Sequence, residues 1–237
     1  MTTTILKAAR ATLRNYANEA DTKVLQRFFK TGPGEYAEGD IFIGVRAPMI
    51  RRIAKEYQEL PLREATTLLQ SKVHEERMLA LIILMHQFKK GTPDEQTKIY
   101  DLYMANTAHI NNWDLIDVTA PHIVGTYLRN KPRAPLYTFA RSQSIWERRI
   151  AIISTLHSIK HNDFSDTLAI AEILLNDTHD LIHKAVGWML REVGNRDLQA
   201  EENFLMKHYH TMPRTMLRYA IEKFPEPKRQ RYLKGTI

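Results

Sequence analysis

The sequence predicts an all-α fold, a HEAT-like helical-repeat solenoid (an α-α superhelix), and three observations lead to it. Apolar residues recur at helical spacing along nearly the whole chain. No window sustains the period-two alternation of a half-buried strand. A charged or polar pair precedes a small residue in Glu76-Arg77-Met78-Leu79-Ala80, Glu147-Arg148-Arg149-Ile150-Ala151, Ile182-His183-Lys184-Ala185 and Arg218-Tyr219-Ala220, and the alanines lie 71, 34 and 35 residues apart. Since 71 is close to twice 35, a further register is expected near residue 116. A period of this length marks stacked helical pairs in which small residues let neighbouring helices approach. It is shorter than the usual HEAT or armadillo unit and nearer to the TPR unit, whose Trp-x2-Leu-Gly-x2-Tyr pattern is absent. Residues 1–237 are expected to form a single repeat domain.

The first helices are expected over residues 3–18 and 22–30. They end at Thr31-Gly32-Pro33-Gly34-Glu35-Tyr36-Ala37-Glu38-Gly39-Asp40, where three glycines and a proline mark a long loop. No Gly-Lys-Ser/Thr follows, so it is not a nucleotide-phosphate loop. It is either a plain connector or a flap beside the functional surface that exposes Tyr36. Helices 48–58, 61–70, 74–88 and 93–105 follow, with Pro48, Pro61 and Pro93 in first-turn positions where a missing N–H costs nothing. Helices 113–128, 134–142 and 145–159 are next, with Asn112 and Ser144 as N-caps. Helices 165–175, 181–193, 198–208, 214–224 and 227–233 rest on apolar spacing alone.

Composition narrows the chemistry. The 237 residues carry 34 Lys and Arg against 27 Asp and Glu, a net charge of +7, which favours a polyanionic partner and nucleic acid first. The chain has no cysteine, so disulfides, thiolate zinc sites and a cysteine nucleophile are excluded. Carboxylate, histidine, hydroxyl or amine groups must do any chemistry. His183, His208 and His210 show no ligand spacing, and neither a metal nor a cofactor is expected. Lys7, Arg10, Arg14 and Glu19 interrupt the start of the chain, so no secretory signal core is expected. No apolar run is long enough to span a membrane, and a cytoplasmic location with access to the nucleoid is expected.

Two segments stand out, Asn112-Trp113-Asp114-Leu115-Ile116-Asp117 and Lys184-Ala185-Val186-Gly187-Trp188-Met189-Leu190-Arg191-Glu192. Asp117 follows Trp113 by four residues, which puts both on one helical face. An indole beside a carboxylate suits a positively charged transition state. Asp117 also falls one position after the place where other repeats pack an alanine, a costly place for an unpaired acid. Arg149, two positions before Ala151, is placed to approach it if the helices stack side by side. The pair is then either catalytic or a structural ion pair. Trp188 and Trp146 read by themselves as core residues. Arg46, Arg51 and Arg52 flank Pro48 at a helix start, where guanidinium groups and backbone amides can hold a phosphate. From Arg214 to the C-terminus, seven cations including Arg218 face two glutamates. Either group is a DNA-contacting edge or a solvated surface.

At Phe42-Ile43-Gly44-Val45-Arg46-Ala47-Pro48, at Trp113 to Asp117, at Ile145-Trp146-Glu147-Arg148-Arg149-Ile150-Ala151-Ile152 and at Lys184 to Glu192 the chain resembles the AlkD-like bacterial alkylpurine DNA glycosylases, which are HEAT-like repeat proteins. The resemblance covers most of the chain. It implies excision of cationic N3- or N7-alkylated purines from duplex DNA by a monomer, with Asp117, Trp113 and Trp188 catalytic. It also implies DNA contacts by Arg149, near the lesion, and by Arg191; Arg148, within the same motif, joins Arg46, Arg51 and Arg218 as a candidate DNA contact. The chain departs from the family pattern in the glycine-rich stretch 32–40 and at Phe28, where the best-known member has tyrosine. Both differences bear on lesion preference and loop contacts. Some relatives lack the acid and bind branched or distorted DNA without excising a base, the alternative for this chain, although Asp117 is retained.

Overall fold

A computed structural model describes residues 5–237, and among them the regular structure is helical, with one isolated bridge between Ile41 and Val73 and no strand. The all-α helical-repeat prediction is borne out. The expected helix start at residue 3 lies outside the described residues. Packing divides the chain into two compact units, Met1–Leu115 and Ile116–Ile237.

The first unit contains α1 (Ile5–Asn15), α2 (Glu19–Phe28), α3 (Ala47–Glu56), α4 (Leu62–Leu69), α5 (His74–Lys90) and α6 (Pro93–Ala105), then a 3-10 turn at Thr107–His109. Helix α5 is its centre. From Met78 to Leu84 every side chain is buried, because the helix is apolar on all sides and packs against both α3 and α4. Its first turn, His74-Glu75-Glu76-Arg77, is polar and equally buried, so each group requires a partner. Glu75 accepts from the amides of Ile43, Gly44 and Val45, Glu76 from Arg10, and Arg77 donates to Asp40. Asn18 caps α2, and a reciprocal Thr92–Glu95 capping box starts α6. Pro48 and Pro93 occupy first-turn positions as expected, whereas Pro61 is the cap residue itself.

Helix α7 (Trp113–Ala120) runs across the division. The helix expected over 113–128 is interrupted by a π turn at Pro121–Gly125 before α8 (Thr126–Leu128). Pro121 lacks the N–H that would continue the ladder, and a Cβ on Gly125 would lie 2.3 Å from the Ser154 carbonyl oxygen, so the chain is drawn tightly against its neighbour there. The second unit continues with α9 (Ala134–Ala140), α10 (Ile145–Ser154), α11 (Leu156–Ile159), α12 (Ser165–Ile173), α13 (Asp180–Gly194), α14 (Leu198–His208) and α15 (Arg214–Ala220). A 3-10 turn at Ile221–Lys223 leads into α16 (Glu226–Lys234). The expected single helix 145–159 breaks between α10 and α11. There the hydroxyls of Ser154 and Thr155 bond back to the carbonyls of Ile150 and Ile152, which bends helices.

The alanines that set the period, Ala80, Ala151, Ala185 and Ala220, are all fully buried. A second repeated device accompanies them. Ser71 accepts from the Val73 amide and Ser142 from the Ser144 amide, while Arg77 and Arg148 reach back to the carbonyls of Ser71 and Lys72 and of Ser142 and Gln143. Asp177 bonds the His179 amide in the same way before α13. These turns fix the starts of α5, α10 and α13.

Candidate functional site

In the second unit, α7 and α10 bring Asp117 and Arg149 together. The Arg149 Nε donates to Asp117 Oδ1 at 2.8 Å and its Nη2 to Oδ2 at 2.7 Å, a bidentate pair. The remaining nitrogen donates to the Leu181 carbonyl at the start of α13. Arg149 is buried, with a side chain 6% exposed, whereas that of Asp117 is 17% exposed and can be reached from outside. Since both carboxylate oxygens accept from guanidinium N–H groups, Asp117 is an anion and not a proton donor. Trp188 stands on α13, half-buried, with its indole N–H bonded to Glu192 one turn later at 3.0 Å. It is not the core residue that its sequence position alone suggests.

In the first unit, Trp113 completes an aromatic stack. Its ring is parallel to Phe29 at 5.2 Å and edge-on to Phe28 at 5.8 Å, and Phe29 stacks in turn on Phe42 at 5.1 Å. Phe28 is 60% exposed and gives the stack an open rim. The His74 imidazole lies against Phe29 and Phe42, with Nδ1 bonded to Asp40 at 3.2 Å and Nε2 to Asp114 at 2.9 Å. Burial works against a charged His74, but the Asp114 and Asp40 carboxylates prevail and push its pKa up to about 9. It is therefore an imidazolium donating to two acids. The loop between α2 and α3 is neither a plain connector nor a flap presenting a free Tyr36. Tyr36 is half-buried and its hydroxyl accepts the Trp113 indole N–H at 3.2 Å.

The candidate arginines divide by what already holds them. Arg148 is bonded to Asp177 at 2.6 Å and to two carbonyls, which gives it a structural task. Arg191 pairs with Glu222, and the exposed Arg46 with Asp21. Arg51 and Arg218 are exposed and form no ion pair among the described residues.

A family model described as "DNA alkylation repair enzyme" matches residues 9–224. The chain belongs to the DNA alkylation repair enzyme family. The match runs through all four segments on which the sequence resemblance rests. No curated protein matches the chain. Among solved structures it is similar to a protein of Enterococcus faecalis described as a predicted DNA alkylation repair enzyme, with a TM-score of 0.70, 15% identity and coverage of 89% of this chain and 97% of that one. It is also similar to smu.31 of Streptococcus mutans UA159, with a TM-score of 0.51, 14% identity and coverage of 92% and 96%. At these identities the likeness shows the helical-repeat fold. A DNA repair role follows from family membership, and no described helix is long and apolar enough to cross a membrane.

The sequence did not single out Tyr36 as a partner of Trp113, nor His74, Asp40 and Asp114. The one available signal was His74-Glu75-Glu76-Arg77, four polar residues opening an otherwise apolar helix.

Proposed function

We propose that this protein is a monofunctional DNA glycosylase that hydrolyses the N-glycosidic bond of cationic N3- or N7-alkylated purines in duplex DNA. The observation that carries this reading is Asp117, an accessible anion gripped at both oxygens by the buried Arg149, in a chain of a DNA alkylation repair family. An alkylated purine that is already positively charged leaves without protonation, taking the bonding electron pair and becoming neutral. The deoxyribose then carries the charge. A carboxylate beside C1′ stabilises that oxocarbenium character and orients the water whose oxygen forms the new bond, and the water's proton passes to solvent. Asp117 is suited to this because the bidentate contact from Arg149 holds the carboxylate charged and in a fixed orientation. Trp113 and Trp188 each carry an indole face able to stabilise positive charge on the base or the sugar.

Lys184 supports the monofunctional assignment. Its ammonium is paired with Asp180 at 2.6 Å, which does not favour Schiff-base formation. Phosphate contact falls to the exposed Arg46, Arg51 and Arg218 and to Arg191, whose partner Glu222 is itself exposed. Arg148 and Arg149 are engaged in bonds within the second unit, to Asp177 and Asp117. The protein would act as a monomer without a cofactor, in the cytoplasm at the nucleoid.

Single-turnover release of N7-methylguanine from duplex DNA, by the wild type and by Asp117→Asn, tests the reading when binding to the same duplex is measured in parallel. Excision by the wild type, reduced at least about a hundredfold in the variant with binding kept, is the expected result. Tight binding without excision by either would instead mark a non-catalytic protein of distorted DNA.

A further inference from the structure

The loop at residues 31–40 is linked to the first turn of α7 in two ways, once directly and once through His74. Near its middle, the Tyr36 hydroxyl accepts the indole N–H of Trp113. At its end, Asp40 bonds His74, and the other nitrogen of the same imidazole bonds Asp114, the neighbour of Trp113. Both contacts come from a segment that is itself well anchored. The Glu35 carboxylate accepts the Gly32 amide at 2.8 Å and Glu38 accepts that of Gly34 at 2.9 Å. Gly34 and Gly39 have φ of +75° and +81°, which a side chain would strain. The Ala37 amide bonds the Lys30 carbonyl, and Ala37 itself is buried. Arg77 holds the second oxygen of Asp40 at 2.6 Å. Three acidic residues in this loop therefore serve internal bonds, which explains acids in a loop that a simple DNA-contacting flap would not carry.

We propose that this loop is a positioning clamp for Trp113, in which Tyr36 fixes the rotation of the indole while Asp40, acting through His74 on Asp114, fixes the helix turn that bears it. The proposal rests on the glycosylase reading, because the position of an indole matters to rate only where it faces a reacting group. Phe29 and Phe28 limit the tilt of the ring but leave sliding within the stack free, since ring stacking tolerates lateral offset. A directional hydrogen bond at the indole nitrogen removes that freedom. Tyr36 is thus a positioning residue.

Tyr36→Phe removes the acceptor and keeps the ring. Three tryptophans give three indole N–H signals in a ¹⁵N-labelled sample, and that of Trp113 is assigned by its loss in Trp113→Phe. The expected result for Tyr36→Phe is a shift of the Trp113 signal with those of Trp146 and Trp188 unmoved. Excision of N7-methylguanine should slow by about fivefold or more, with duplex affinity within twofold and an almost unchanged melting temperature. An unmoved Trp113 signal, or a wild-type excision rate in the variant, overturns the clamp. Absence of excision by the wild type overturns the glycosylase reading and the clamp's role in rate together, and it is seen before any variant is compared.

Discussion

Asp117 and Arg149 constrain each other, so substitutions at either position act on folding as well as on chemistry. Asp117→Asn leaves a buried guanidinium bonded to neutral oxygens alone, and Arg149→Gln removes the bidentate donor that holds Asp117. Each single change is expected to cost about 2–3 kcal/mol, less than a fully buried pair because Asp117 is partly solvated. The double variant should cost at least ~1 kcal/mol less than the sum of the two, measured by urea unfolding. Additivity would show that the pair is not energetically coupled. Excision should be lost in Asp117→Asn and in the double variant alike, whatever their difference in stability, which separates chemistry from folding. This pairing was legible in the sequence because both residues sit in the repeat frame, Arg149 two positions before Ala151 and Asp117 close to the expected register. The Tyr36–Trp113 and His74–Asp114 bonds were not, since they join residues 77 and 40 positions apart outside any repeat register.

Helix α13 shows how an element carries the site through its packing. A Cβ on Gly187 would lie 2.4 Å from the Met216 carbonyl oxygen and 2.5 Å from the Tyr219 Cβ, so α13 and α15 meet with no room for a methyl group. Gly187→Ala should therefore destabilise the protein by about 1–3 kcal/mol through forced separation, even though alanine favours a helix by ~1 kcal/mol over glycine. Denaturant unfolding reads this sign directly, and a stabilised variant would show that the interface yields at no cost. Because Trp188 follows immediately, excision should fall as well. The close approach was legible only in part, since the small-residue period marks Ala220, whose backbone faces Gly187, but not Gly187 itself. The breaks in the helices were less so. Pro121 and the Ser154-Thr155 pair are visible in the sequence, but a π turn and a bend depend on how tightly the adjacent helix is drawn in.

At the scale of the whole molecule, the helical class and the basic charge were legible because both are sums over many residues, whereas the division into two units was not, since it falls inside α7 with no change of composition. Under the proposed function, affinity for DNA should fall steeply with salt, and Arg51→Ala or Arg218→Ala should each reduce the slope of log affinity against log salt by about 0.9. Arg148→Ala should instead lower stability and leave the slope unchanged. Each unit also buries a group, His74 in the first and Glu201 in the second, whose protonated form the fold favours. His74 has a pKa near 9 against an ordinary 6.5, so its stabilisation is complete below about pH 6.5 and is lost as pH rises through 9. Glu201, between α13 and the C-terminal helices, is raised by burial from 4.5 to about 8 despite Arg191 and Lys228 nearby. The unfolded chain releases that proton near pH 4.5 and the folded chain only near 8, so stability falls across this interval as well. The two effects have the same sign. Relief of repulsion as the net charge of +7 declines towards the pI near 9.5 opposes them, but salt screens it and not the buried groups. Burial holds His157 down to about 4, which opposes them as well but only below about pH 6.5, so in 0.2 M salt the melting temperature should fall between pH 6.5 and pH 9. Glu201→Gln should be more stable than the wild type at pH 8, by about 2 kcal/mol or more, with a smaller difference at pH 5. A difference that does not change with pH would show that Glu201 does not retain its proton in the fold.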